Sequence, residues 1–251
     1  MPQLQERRLG DLNCRIVIPD ETPKLAAVLC HGFGAPGDDL VPLTGTLMQL
    51  APETMKKVLF VYPEAPLSLA DQGIPGGRAW WMLDMEKLAR ASRTGEFRDL
   101  SQESPPRLPQ AREELISVLD HVQRESSLSW PQIILGGFSQ GSMLATDLTL
   151  HLEEKPAGLV IWSGTLLNQP VWSRRASGLQ GLPILQTHGT KDPILPFQAA
   201  LWLKDLLTTA GANLRFVEFQ GPHTIPYPAL ELTAQLIDRR IQGVANEEIW
   251  A

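Results

Sequence analysis

The chain has 251 residues, of which 43% are hydrophobic and 20% are charged, and this composition excludes an intrinsically disordered protein. The 22 basic and 28 acidic residues give a net charge of −6 without any long basic run, which argues against a nucleic-acid partner. Apolar stretches such as residues 157–162 are far shorter than the ~20 residues that span a bilayer, and residues 1–8 lead into no apolar core typical of a signal peptide. We therefore expect a cytoplasmic protein with no integral membrane association.

Short apolar runs alternate with longer amphipathic segments along the chain. The apolar runs predict strands at 14–19, 26–30, 57–62, 132–136, 158–163, 183–188 and 214–219. Helical spacing of apolar residues predicts helices at 40–50, 109–123, 140–152, 197–210 and 228–242. Most strands from residue 26 onward are continuously apolar, as in sheets that are covered on both faces. The pattern predicts a three-layer α/β fold with a mostly parallel sheet flanked by helices, and the first run is a candidate for an antiparallel hairpin at one edge.

Residues 64–109 interrupt this alternation. They contain two Gly/Pro clusters, the pair Trp80-Trp81 and a polar stretch at 101–106. A connection of this length is typical of a functional lid or mobile insertion, and the alternative is a solvated loop with one short helix near 84–91. Because no domain boundary is evident, we expect one domain over residues 1–251 with a lid-like insertion around 64–109.

The segment Gly137-Phe138-Ser139-Gln140-Gly141 matches the pattern G-x-S-x-G between a predicted strand and a predicted helix. This strand–turn–helix context is that of a nucleophile elbow, in which a sharp turn exposes a serine hydroxyl at the N-terminus of a helix. The alternative is an ordinary glycine-rich turn. The context favours Ser139 as a nucleophile.

A serine nucleophile needs a base, and His223 lies in a loop after the last predicted strand, at the carboxyl edge where α/β sheets form their sites. His31 and His188, each before a glycine at a strand end, are expected to form structural hydrogen bonds. The acid should lie between Ser139 and His223, and Asp192 follows a strand at the same edge. The other two aspartates in that interval, Asp147 and Asp205, lie inside predicted helices, where we expect them to be exposed.

Acyl transfer also needs hydrogen-bond donors for a developing oxyanion. The backbone N–H of Gln140 is one candidate, and the N–H of Phe33, in the glycine-rich loop after the strand at 26–30, is the other. The glycines of that loop also fit the dinucleotide pattern G-x-G-x-x-G, but the pair Asp38-Asp39 and Pro36 argue against a bound pyrophosphate. No P-loop or metal-binding motif occurs in the sequence, so we expect neither a cofactor nor a metal.

Three blocks of sequence, at 31–34, 136–141 and 188–196, resemble the signatures of the phospholipase/carboxylesterase family of α/β-hydrolases, which includes bacterial carboxylesterases and acyl-protein thioesterases. The likeness extends from about residue 26 to about residue 241. It implies an α/β-hydrolase fold with nucleophile, acid and base roles for Ser139, Asp192 and His223, and oxyanion-hole roles for Phe33 and Gln140. It also implies substrate contacts for Trp80, Trp81 and Ile194. The block around His223 and the insertion after Trp81 depart from the thioesterase members, which leaves the choice of substrate open.

These observations predict a serine carboxylesterase that hydrolyses small-molecule esters with short to medium apolar acyl chains. The same residues would serve an acyl-protein thioesterase or a lysophospholipase, and a third interpretation is a non-catalytic binding protein with this fold. The sequence leaves a homodimer open.

Overall fold

The computed structural model of the protein describes residues 3–84 and 99–251. Its main sheet has eight strands in the order β1-β2-β4-β3-β7-β8-β9-β10, and β5 and β6 form a separate pair. The strands are β1 Gln3–Leu9, β2 Leu12–Ile18, β3 Leu25–Cys30, β4 Val58–Pro63, β5 Leu67–Ser68, β6 Arg78–Ala79, β7 Ile133–Phe138, β8 Gly158–Trp162, β9 Pro183–Gly189 and β10 Asn213–Phe219. All seven predicted strands are present.

Strands β3, β4 and β7 to β10 pair in parallel, whereas β2 pairs antiparallel with both β1 and β4. The hairpin considered from the sequence is therefore present at one edge of the sheet. Its first strand, β1, was not predicted, because its sequence QLQERRL is mostly polar and only Leu9 is fully buried.

Helices cover both faces of the sheet, which confirms the predicted fold class. They are α1 Leu43–Leu50, α2 Pro52–Met55, α3 Leu108–Ser126, α4 Gln140–His151, α5 Gln169–Arg175, α6 Phe197–Thr209 and α7 Tyr227–Ile241. Helices α3 to α6 pack on one face, and α1, α2 and α7 pack on the other. Alternate residues of β3 belong to the two cores, and this explains why the strand is apolar throughout. The short helices α2 and α5 were not predicted.

The predicted insertion at 64–109 is described only at its two ends. Its first part forms the β5–β6 pair, and its last part leads into α3. Residues 85–98 lie outside the described residues, and so does most of the short helix considered near 84–91. Within the described ranges, no helix has the length and apolar character needed to cross a membrane.

The turn between β1 and β2 is held against the middle of α3. Gly10 has a φ of +54°, and the N–H of Asp11 donates a hydrogen bond to Ser117 Oγ at 2.9 Å. A Cβ at position 10 would lie 2.6 Å from the Ser117 carbonyl carbon, so the turn has no room for a side chain.

We expect Gly10→Ala to lower the free energy of unfolding by about 2–4 kcal/mol, because the methyl group adds an overlap to an unfavourable φ. Gly45→Ala is the matched control. It introduces the same methyl group into α1, where no atom lies within 4 Å, and it should raise stability by up to about 1 kcal/mol. Urea denaturation of both variants measures the difference, and equal effects would contradict the packing of this turn.

Candidate active site

Ser139 lies in a sharp turn between the end of β7 and the start of α4. Its φ of 53° and ψ of −120° are rare for a residue with a side chain. The flanking Gly137 and Gly141 both pack against the end of β3, where a Cβ at either position would overlap the carbonyl oxygen of Cys30. The motif G-x-S-x-G is therefore a steric requirement of this turn, which has the geometry of a nucleophile elbow.

Ser139 is the N-cap residue of α4, so the backbone N–H of Gln140 follows it directly at the start of the helix. The carbonyl of Ser139 accepts hydrogen bonds from the N–H groups of Ser142 and Met143, which are the first hydrogen bonds of the helix. The N–H of Gln140 precedes them and therefore has no partner within the helix. The loop after β3 approaches from the other side, since a Cβ on Gly32 would lie 3.3 Å from the Cβ of Ser139. Phe33 and Gln140, the predicted oxyanion donors, line the same cavity as Ser139.

His223 and Asp192 form a short hydrogen bond. His223 Nδ1 donates to Asp192 Oδ2 at 2.6 Å, although the two residues are 31 positions apart in sequence. The other carboxylate oxygen, Oδ1, accepts from the N–H groups of Ile194 at 2.8 Å and Leu195 at 2.9 Å. A carboxylate can only accept at this bond, so it selects the imidazole tautomer that leaves Nε2 free to accept a proton.

The Asp192 carboxylate stays ionised although its side chain is fully buried. Burial on its own would raise the pKa of Asp192. Hydrogen bonds from His188 and His223, the charge of His223 and the N–H of Leu195 outweigh burial and hold this pKa well below its usual range. Asp192 therefore carries a negative charge wherever His223 could become positive.

His223 and Ser139 line the same cavity. No hydrogen bond joins Ser139 Oγ to the imidazole among the described residues, and in structures without substrate this bond is often long. The ring of His223 instead contacts Phe138, with 4.6 Å between the ring centroids.

Two further histidines are buried near the site and make the structural hydrogen bonds expected from the sequence. His188 Nε2 lies 2.9 Å from the Leu195 carbonyl and 3.3 Å from Asp192 Oδ2. His31 Nδ1 donates to the Gly32 carbonyl, and its Nε2 accepts from the N–H of Ala65. Burial lowers the pKa of His31, which favours the neutral ring that this pair of bonds requires.

The expectation that Asp147 is exposed is wrong. Its side chain is 1% exposed, accepts from Arg112 at 2.6 Å and accepts from the indole N–H of Trp172 at 2.8 Å. Both partners come from other helices, α3 and α5, so the sequence around Asp147 gave no sign of them. Asp205 is exposed on α6, as expected.

A cavity of about 310 Å³ opens beside Ser139. Its walls are mostly apolar, and they include Trp81 and Ile194, two of the predicted substrate contacts, together with Leu83, Leu100, Met143, Leu167 and Leu195. Ile194 is 42% exposed, whereas Trp81 is buried. Leu100, which lies at the far end of the insertion, was not predicted to contribute.

Trp80 does not line this cavity, which corrects its predicted role as a substrate contact. Its side chain is fully buried, and its indole N–H donates to the His31 carbonyl at 2.9 Å. The Gln140 side chain holds the same pair of tryptophans: Oε1 accepts from the N–H of Trp80 at 2.9 Å, and Nε2 donates to the carbonyl of Trp81 at 2.8 Å. This anchoring role of Gln140 was missed, because its partners lie about 60 residues away in the sequence.

Neither a metal nor a disulfide is evident in the described part of the chain. No group of three or more His, Cys, Asp or Glu side chains could hold a metal ion there. Cys14 and Cys30 are both buried free thiols, and burial raises the pKa of Cys14 to about 12.

Comparison with known proteins assigns the chain to a family. The model of the Phospholipase/Carboxylesterase family matches residues 12–241, so the chain belongs to this family of α/β-hydrolases. It is 26% identical over 225 residues to acyl-protein thioesterase 1 of Cryptococcus neoformans, an alignment that covers 83% of this chain and 89% of that protein. It is 24% identical over 238 residues to acyl-protein thioesterase 1 of Saccharomyces cerevisiae, with 91% and 98% covered.

A solved structure is similar over nearly the whole chain. The crystal structure of esterase PE8 has a TM-score of 0.73 and 26% sequence identity, and the match covers 92% of this chain and 96% of that one. The family is one of esterases and thioesterases, in agreement with the resemblance seen in the sequence.

We expect Gln140→Ala to lower the free energy of unfolding by about 2–4 kcal/mol, because it leaves the buried N–H of Trp80 and carbonyl of Trp81 without a side-chain partner. Gln102→Ala, at an exposed position, is the control and should change stability by less than about 1 kcal/mol. Urea denaturation of the two variants tests this, and an unaffected Gln140→Ala protein would show that the anchor contributes nothing.

Proposed function

We propose that this protein is a serine carboxylesterase with Ser139 as nucleophile, His223 as base and Asp192 as acid. The observation that carries the proposal is the 2.6 Å bond between a fully buried, ionised Asp192 and His223, which lines the same cavity as the strained Ser139. The chain belongs to a family of hydrolases. The geometry of Ser139, His223 and Asp192 supports the role assigned to each residue.

The proposed reaction gives each of these groups a role. Ser139 Oγ attacks the ester carbonyl carbon while His223 Nε2 takes the hydroxyl proton, and Asp192 stabilises the imidazolium that forms. The carbonyl oxygen becomes negative and accepts from the N–H groups of Phe33 and Gln140. The tetrahedral intermediate expels the alcohol, which takes the proton from His223, and leaves an acyl group on Ser139. Water, deprotonated by His223, then releases the acid and restores the serine.

The cavity supports a preference for short to medium acyl chains. Its volume of about 310 Å³ corresponds to about ten water-sized groups, and its inner walls are aliphatic or aromatic. Trp81 and Leu83 precede residues 85–98 and Leu100 follows them, so both described ends of the predicted insertion line the cavity. This supports a single domain over 1–251 in which the insertion at 64–109 acts as a lid that limits chain length.

The second candidate is an acyl-protein thioesterase, or a lysophospholipase, that uses the same three residues. The thioesterase is favoured by the names of the two curated relatives described above. The chemistry on Ser139 would be identical, because a thiolate leaves in place of an alkoxide. The ratio of kcat/KM for a thioester and an ester of the same acyl group separates the two candidates.

We expect Ser139→Ala to abolish turnover while the melting temperature changes by only a few degrees, because the variant removes one oxygen from the site. Wild type and variant are compared on p-nitrophenyl esters from acetate to decanoate, and the chain length with the highest kcat/KM reports the depth of the cavity. Retained activity in the folded variant would rule out Ser139 as the nucleophile.

We expect Asp192→Asn to reduce kcat by about 10³–10⁴-fold, since an amide cannot hold the imidazole in the required tautomer or stabilise its positive charge. Asp205→Asn makes the same substitution at an exposed position of α6 and should leave kcat within twofold of wild type. Steady-state kinetics on the best p-nitrophenyl ester provides the measurement. The reverse pattern would mean that the wrong aspartate has been identified.

A further inference from the structure

A second cavity, of about 290 Å³, is also lined by His223. Phe138, His223 and Asp39 belong to the walls of both cavities, so these three residues separate them. The remaining walls of the second cavity are Leu40, Leu43, Thr224 and Ile225. Ser139 and the oxyanion donors belong only to the first cavity, which we call the acyl cavity. We call the second the His223 cavity.

The chemistry of the proposed reaction indicates what the His223 cavity holds. The departing oxygen or sulfur takes its proton from His223, so this atom must lie beside the imidazole when the tetrahedral intermediate breaks down. The acyl chain occupies the acyl cavity at that moment. Because His223 also lines the His223 cavity, that cavity is the adjoining space open to the alcohol or thiol half of the substrate.

The charge of the His223 cavity comes from one carboxylate. Asp39 is exposed, and among the described residues no cation forms an ion pair with its side chain. Across the acyl cavity, the exposed side chain of Glu103 likewise has no ion-pair partner in the described chain. Both carboxylates thus line the cavity that contains Ser139, and the protein as a whole has a net charge of −6.

The wall beside Asp39 is aromatic and aliphatic. The ring of Phe138 is partly exposed, and Leu40, Leu43 and Ile225 supply apolar surface. A carboxylate together with an aromatic face attracts an ammonium group, and the aliphatic side chains accommodate the methyl or methylene groups attached to it. An anionic leaving group would instead be repelled by Asp39 and Glu103.

We infer that the His223 cavity binds the leaving half of the substrate and selects an alcohol or thiol that carries a positive charge, with Asp39 as the specificity-determining residue. This inference rests on the proposed function and specifies its substrate class: esters or thioesters of amino alcohols or amino thiols.

The test compares two substrates that differ in a single charge. S-Butyrylthiocholine carries a trimethylammonium group, and S-(3,3-dimethylbutyl) thiobutyrate has a neutral tert-butyl group of nearly the same shape. Both release a thiol that can be followed by the same assay. We expect wild type to favour the cationic substrate in kcat/KM by about two- to five-fold at low salt, and added salt should reduce this preference.

Asp39→Asn should bring the ratio of the two kcat/KM values close to one, and Glu103→Gln should lower it by a smaller factor. Asp38→Asn is the matched control: it removes the same charge from the neighbouring residue, which is exposed but lines neither cavity, and it should keep the wild-type ratio. A wild-type preference for the neutral substrate, or an unchanged ratio in Asp39→Asn, would overturn the inference.

The two proposals fail in different ways. Hydrolysis of both substrates by Ser139→Ala would refute the proposed function. Activity that depends on Ser139, combined with a ratio that does not respond to Asp39, would refute only the role of the His223 cavity.

Discussion

The close approach of the end of β3 to the turn after β7 is the constraint on which the site depends. The carbonyl of Cys30 occupies the space that side chains at positions 137 and 141 would fill. This contact forces Ser139 into a strained backbone, at a cost of about 1–3 kcal/mol that the surrounding packed strands and helix offset. It also brings the loop after β3 beside the first turn of α4. One backbone contact therefore sets the positions of the hydroxyl and of both candidate oxyanion donors.

The partners of two buried aspartates, Asp147 and Asp192, distinguish a structural carboxylate from the proposed catalytic one. Asp147 accepts hydrogen bonds from Arg112 and Trp172 and lies 3.7 Å from His151, so its charge joins three helices, and it lines neither cavity described above. Asp192 shares its charge among backbone N–H groups and histidines, and one of those histidines reaches the cavity wall. Burial alone does not distinguish the two residues, because both side chains are almost completely inaccessible. The difference is that His223, a partner of Asp192, lines the cavity that also contains Ser139.

The sequence was most informative where the signal is local. Continuous apolar runs predicted the parallel strands, and G-x-S-x-G predicted the turn at Ser139, because both patterns arise from contacts within a few residues or from burial on both faces. The predictions that were missed or wrong concern distant partners. Strand β1 is polar and is held by its pairing with β2, the environment of Asp147 depends on two other helices, and Trp80 is buried by contacts with His31 and Gln140. Propensity and spacing carry no information about such partners.

The turn after β9 connects the wall of the acyl cavity to the proposed catalytic acid, Asp192. The N–H groups of Ile194 and Leu195 hold the Asp192 carboxylate, and the side chains of the same two residues form part of the acyl cavity wall. An acyl group that displaces this wall also disturbs the donors that keep the carboxylate ionised and aligned with His223. With Asp192 and His223 in their proposed roles, the length of the acyl chain would affect proton transfer through these two peptide groups. Discrimination between acyl chains would then be expressed in the rate of turnover as well as in the strength of binding.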